Sequence, residues 1–190
     1  MEKIINLSNN RKLKIIRERD PESPREWDNN GLMVCFHSEY NLGDKHKFGS
    51  PQEFRDWMEE QGDDIIACLP LYLYEHSDMT ISTKPFSCSL ESGQVGWIIA
   101  TRDTLESGGH NVDDLEIKKV EIWLRGEVET YDQFLRGDVY GFELYDDPCP
   151  TCGHKGEVTD SCWGFYGDDP IENGMNDHLD CDLLVDSILT

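Results

Sequence analysis

The chain has 190 residues, of which 39 are Asp or Glu and 17 are Lys or Arg, giving a formal net charge of −22. That balance excludes a protein that binds nucleic acid by neutralising phosphates, and it disfavours docking on anionic membranes. Hydrophobic residues at 37% and aromatics at 10% are gathered in runs, which argues for a packed core rather than a disordered chain.

Residues 3–8 and 12–18 alternate apolar and polar side chains around Asn9-Asn10, the pattern of a β-hairpin with a two-residue turn. Residues 20–30, with Pro21 and Pro24, read as a loop, and 31–37 as a buried strand. Ser50-Pro51-Gln52-Glu53 is a helix start: Ser caps, Pro occupies the first turn, and Glu53 completes a capping box. The helix should run to about Gln61 with Phe54, Trp57 and Met58 inward, and Gly62 should end it. Residues 64–74 predict a central strand in which Pro70 demands a bulge or interruption. Residues 79–82 and 94–101 predict further strands, and 112–135 a long helix ending at Gly137. Residues 139–145 and 158–166 predict a hairpin whose tip, 146–157, carries CPTCGH. Ile171, Met175, Leu179, Leu183 and Val185 recur near helical period and predict a C-terminal helix.

Together these elements predict one α+β domain over residues 1–190: a largely antiparallel sheet with one long helix, one short helix and a C-terminal helix. Residues 1–11 hold no signal-peptide core, and no apolar run approaches the ~20 residues of a membrane span. The protein is therefore expected to be soluble and cytoplasmic. Of its seven Cys, Cys35, Cys68 and Cys88 sit singly in apolar segments, as buried hydrophobes do in a reducing compartment.

Residues 28–44 read DNNGLMVCFHSEYNLGD, 93–98 GQVGWI, 127–144 EVETYDQFLRGDVYGFEL and 160–168 DSCWGFYGD. In this order they resemble a family of small acidic proteins encoded by bacteriophages and mobile elements, over roughly residues 27–168. The resemblance supplies no catalytic residue. It implies a setting in the bacterial host cell, among accessory proteins of mobile DNA, where inhibitors of host defence are common.

Three candidate sites follow. Cys149 and Cys152 in CPTCGH have the spacing of a zinc knuckle. Four ligands are needed for a structural Zn²⁺; His154, Cys162, His178 and Cys181 are the nearest further donors, and His178-x-x-Cys181 gives a closure. His37, Asp44, His46 and His76 lie at strand ends and in a loop, where convergence would suit a catalytic divalent metal. No HExxH and no nucleophile elbow supports that reading, so the balance leans away from an enzyme. A Cys35/His37 dyad is weaker still.

The third candidate is charge. Residues 103–190 hold 22 acidic and 5 basic residues. Duplex DNA carries one negative charge per about 1.7 Å of axis, so a dense carboxylate face can occupy a basic groove in its place. The expected contacts are Asp113, Asp114, Glu116, Glu121, Glu127 and Glu129 on the long helix, with Asp168, Asp169, Asp177, Asp180 and Asp182 in the tail. The leading expectation is a stoichiometric anti-defence inhibitor, of the anti-CRISPR or anti-restriction kind. Its partner would be a host protein with a basic nucleic-acid-binding groove, with no direct contact to nucleic acid or membrane. The alternatives are a metal-dependent hydrolase built on the His/Asp set and a zinc-stabilised adaptor.

Overall fold

The computed structural model describes residues 2–7, 11–76, 79–88, 90–146 and 156–179. Eight strands run in chain order: β1 (Glu2–Asn6), β2 (Lys12–Arg17), β3 (Leu32–Cys35), β4 (Ile65–Glu75), β5 (Met79–Ser82), β6 (Ser92–Thr101), β7 (Val139–Tyr145) and β8 (Val158–Tyr166). Three α-helices accompany them: α1 (Pro51–Gln61), α2 (Arg102–Ser107) and α3 (Ile117–Leu135). The mixed content and antiparallel pairing make this an α+β protein, as the pattern predicts. Among the described residues no helix is long and apolar enough to cross a membrane.

The chain divides into two compact units, Met1–Glu22 with Gly137–Thr190, and Ser23–Arg136. Each holds its own four-stranded antiparallel sheet, where the sequence pattern suggested one sheet in one domain. The first unit is built from both chain ends, in the order β1-β2-β7-β8. Alternation in β2 puts Leu13 and Ile15 inward, opposite Leu144 and Phe142 of β7. These four close a core with Ile5, Phe165, Met175 and Leu179. The predicted N-terminal hairpin forms, with Asn6 opposite Lys12; residues 8–10, including the expected Asn9-Asn10 turn, lie outside the described residues. The tail shows one short 3-10 turn, Met175–His178, in place of the start of an α-helix. Residues 180–190 lie outside the described residues.

The second unit has the strand order β3-β6-β4-β5. Adjacent residues on one strand face opposite sides. Met33, Ile98, Leu69 and Leu71 pack with Val120, Leu124, Val128 and Tyr131 of α3. Val34 and Ile99 pack instead with Phe54 of α1, beside Trp57 and Trp97. Full burial of such a side chain contributes about 1.5–3 kcal/mol. As expected, Ser50 caps α1, its Oγ accepting from the Glu53 N–H at 3.2 Å. Gly62 ends the helix at φ 54°. The Glu53 carboxylate accepts from Gly49 N–H at 2.8 Å, one residue short of a reciprocal box.

Pro70 falls within β4 as predicted, and a register shift follows at Leu71/Tyr72. Its missing N–H is tolerated because β5 pairs with β4 only from Tyr72 onward. The long helix starts later than expected: Val112–Asp114 form a 3-10 turn and α3 begins at Ile117. Consecutive Asp113 and Asp114 favour a turn over helix interior. Its buried seam is Val120, Leu124, Val128 and Tyr131, while Ile122 is 66% exposed. Helix α2 was not foreseen; six residues with one buried Leu105 carry no periodicity, and the reciprocal Thr101/Thr104 cap defines it. Of the cysteines expected inside, Cys35 is buried, Cys88 half-buried and Cys68 exposed.

Glycine 96 in GQVGWI explains that motif locally, because a Cβ there would stand 2.0 Å from the Val34 carbonyl oxygen of the paired strand. Gly93, three residues earlier, has nothing within 4 Å. Gly96→Ala should therefore destabilise the protein by at least about 2 kcal/mol, and Gly93→Ala by less than about 1 kcal/mol. Urea unfolding of the two variants checks this; equal losses would contradict the close approach.

Candidate functional site

The motifs DNNG and NLGD meet around Arg25 in the second unit. Arg25 sits in a 3-10 turn, Pro24–Glu26, capped by Ser23, and its side chain is only 5% exposed. Its guanidinium donates to both oxygens of Asp44, from Nε at 2.9 Å and Nη2 at 2.6 Å. Nη1 donates to Glu127 Oε2 at 3.0 Å, and Nη2 also reaches the Gly31 carbonyl at 2.6 Å. The carboxylates are used further. Asp44 Oδ2 accepts from Met33 N–H at 2.7 Å, and Glu127 Oε1 accepts from Asn30 N–H at 2.8 Å. Gly43 N–H donates to the Tyr131 hydroxyl at 2.9 Å. Gly43 itself is at φ 69°, with the Met33 carbonyl 2.5 Å from where a Cβ would be, so glycine is required there.

Burial acts to lower the Arg25 pKa, but Asp44 and Glu127 outweigh it and leave it above its ordinary value. Burial pushes Glu127 up, with Arg25 and the Asn30 and Gly31 N–H groups pulling back only in part. Both directions describe one pair: the two carboxylates hold the cation charged, and burial of Glu127 opposes its ionisation more than Arg25 and the two N–H groups favour it.

Three of the four residues expected to converge do line one cavity of about 800 Å³: His37, Asp44 and His46, with Cys35, Tyr40 and Lys45 among their neighbours. His76 does not line it; it is 66% exposed and stands 3.5 Å from Glu91. His37, Asp44 and His46 each make a structural contact. Asp44 is held by Arg25. His37 Nε2 is 3.2 Å from Glu75, and its Nδ1 accepts from the N–H groups of Glu39 and Tyr40. His46 Nε2 lies 2.9 Å from the Cys35 carbonyl oxygen. Among the described residues no group of three or more His, Cys, Asp or Glu is placed to hold a metal ion. Burial, aided by the Asp44 charge, pushes the Cys35 thiol up to about 12. It stays protonated at neutral pH, which removes the Cys35/His37 dyad.

The expected acidic contacts are dispersed. Asp113 and Asp114 lie on the 3-10 turn before the helix, and Asp113 pairs with Arg102 at 3.1 Å. Glu116 stands at the N-cap position of α3 without a side-chain cap bond and is exposed, as is Glu129. Glu121 pairs with Arg125 at 3.7 Å. Glu127 is turned inward onto Arg25, 13% exposed, so it is unavailable to a partner. Lys118 and Lys119 interrupt the same helix surface. In the first unit Asp168, Asp169 and Asp177 are exposed, and Asp169 also caps a turn by accepting from Ile171 N–H at 2.8 Å. Of the zinc candidates, His178 is exposed and meets Phe165 edge-on at 5.3 Å. Cys149, Cys152, Cys181, Asp180 and Asp182 lie outside the described residues.

Arg25 was missed by sequence reasoning. Nothing in PESPREW distinguishes it from a solvated loop cation; only its meeting with Asp44 and Glu127 does. Compared with protein-family models, with curated proteins and with solved structures, the chain matches none.

Arg25→Met leaves two partly buried carboxylates without their cation and should cost about 3–5 kcal/mol in stability. Because the folded-state pKa of Glu127 is raised, its contribution to stability is full at acid pH and declines as pH rises through that pKa. Glu127→Gln should remove this decline, flattening the stability profile above the ordinary Glu pKa relative to the wild type. Urea unfolding across that range measures both.

Proposed function

We propose that the protein is a stoichiometric binding protein that antagonises a host defence system, its acidic surface taking the place of DNA in a basic groove. One observation carries the reading. Among the described residues from 137 to 179 there are nine carboxylates and no Lys or Arg. Seven of the nine are exposed: Asp146, Glu157, Asp160, Asp168, Asp169, Glu172 and Asp177. Of the nine, Asp138 pairs with Arg17 of β2 at 2.9 Å; on α3 itself Lys118, Lys119 and Arg125 intersperse with the acids. The proposed contact surface therefore moves off the long helix and onto the C-terminal part of the first unit. Like charges held on one folded unit steer and hold a basic partner through screened Coulomb forces. The resemblance to mobile-element proteins supplies the setting, a bacterial host whose nucleases have such grooves.

Charge reversal decides it. Asp160, Asp168, Asp169 and Asp177, changed together to Lys, should reduce protection of mobile DNA in a restricting or CRISPR-bearing host. The same number of reversals on α1, at Glu53, Asp56, Glu59 and Glu60, should have little effect. Binding to the captured nuclease should also weaken steeply towards about 200 mM salt, where the Debye length is below about 8 Å. Equal losses from both sets would overturn the reading.

A structural Zn²⁺ held by Cys149, Cys152, His178 and Cys181 belongs to the same proposal. Its support is the Cys-x-x-Cys spacing between β7 and β8, strands whose ladder continues to Asp146 N–H and the Glu157 carbonyl at 3.0 Å. Protein purified without an affinity tag should contain about one zinc per chain, and chelation should lower its melting temperature. Zinc-free protein with freely titrating thiols at positions 149 and 152 would remove the metal.

A further inference from the structure

Residues 45–47 read Lys-His-Lys in a chain whose carboxylates exceed its Lys and Arg by 22. Lys45 and Lys47 are exposed, and neither forms an ion pair with a described carboxylate. They border a cavity of about 450 Å³ whose other walls are Leu32, His46, Phe48 and Trp57. The volume lies within the ~300–1,000 Å³ of small-molecule sites. Its aromatic floor is rigid: Phe48 and Trp57 have ring centroids 5.3 Å apart, and both rest on the fully buried Phe54. His46 is fixed by its Nε2–H donating to the Cys35 carbonyl, which leaves Nδ1 as an acceptor. That Nδ1 is buried with no hydrogen-bond partner, and His46 lines both this cavity and the larger one.

We propose that this cavity binds a nucleoside monophosphate, the base lying against Phe48 and Trp57 and the phosphate held by Lys45 and Lys47. The lining asks for a flat, largely apolar ring. Two unpaired ammonium groups at its rim ask for an anion on that ring's substituent. In a protein of net charge −22 the favourable field is local, because screening over about 8 Å confines it to the two lysines. Each further phosphate would extend into repulsive surroundings. A single nucleotide is therefore favoured over a nucleic-acid strand, which keeps the site compatible with the overall acidity. The inference is independent of the acidic-surface reading, since its residues all belong to the second unit.

Equilibrium dialysis of the whole protein against AMP, adenosine, inorganic phosphate, benzoate and a short oligodeoxyadenylate tests it. AMP should bind saturably with a Kd below about 1 mM, and adenosine, phosphate and benzoate at least about tenfold more weakly. The oligonucleotide should bind no more tightly than AMP. Lys45→Ala with Lys47→Ala should weaken AMP binding at least about tenfold while thermal unfolding stays close to wild type, as for exposed substitutions. In the wild type, AMP should shift the Trp57 indole N–H resonance, which reports occupancy without any mutation. The proposal is overturned if AMP does not saturate, or if phosphate or benzoate binds as well as AMP. It is equally overturned if the oligonucleotide binds more tightly, if the double variant binds AMP normally, or if the Trp57 resonance does not move.

Discussion

Arg25 is buried to 5% side-chain exposure, and a guanidinium cannot shed its charge to escape that environment. It must be surrounded by acceptors, and the second unit is arranged to supply them. Asp44 comes from the loop after β3, Glu127 from the middle of α3, and the Gly31 carbonyl from the start of β3. The acceptors are themselves saturated by the backbone N–H groups of Asn30 and Met33. Three segments distant in sequence are thereby fixed to one point. The path of the loop from His37 to Phe48 follows from where Asp44 is pinned, and that loop makes the walls of both cavities.

The same constraint separates structural from available charge. Glu127 and Asp44 count toward the net charge of the chain, yet they are committed to Arg25. Asp113, Glu121 and Asp132 are paired locally with arginines. In the second unit these carboxylates are compensated within short distances, and the exposed Lys45 and Lys47 lie beside an aromatic cavity. In the first unit the described residues from 137 to 179 include no Lys or Arg of their own, although Arg17 of β2 pairs with Asp138 at 2.9 Å. The two binding chemistries proposed above, one for a basic macromolecular surface and one for a small anion, are each compatible with the overall charge.

Much of the local structure was legible in the sequence. Period-two alternation placed Leu13 and Ile15 inward in β2, and the Ser50-Pro51 start with Gly62 beyond it bounded α1 to the residue. These signals are short-range: a cap, a proline or an alternating strand acts on neighbours whose identity the chain order gives. The β7 and β8 strands were legible for the same reason.

What only the tertiary structure decided depends on partners far apart in the chain. The pairing of β2 with β7, which joins residue 12 to residue 145 and makes a separate unit of the two chain ends, leaves no local mark. Neither does the phase of α3. The sheet selects Val120, Leu124, Val128 and Tyr131, leaves Ile122 66% exposed and turns Glu127 onto Arg25. His37, Asp44 and His46 line one cavity, while His76 lies outside it, because strand register determines which ends meet. By itself the sequence determined the strands, the start and end of α1 and the surplus of carboxylates. Which carboxylates are exposed and which are bound to a buried arginine was decided by the fold, since burial and pairing depend on the juxtaposition of distant segments.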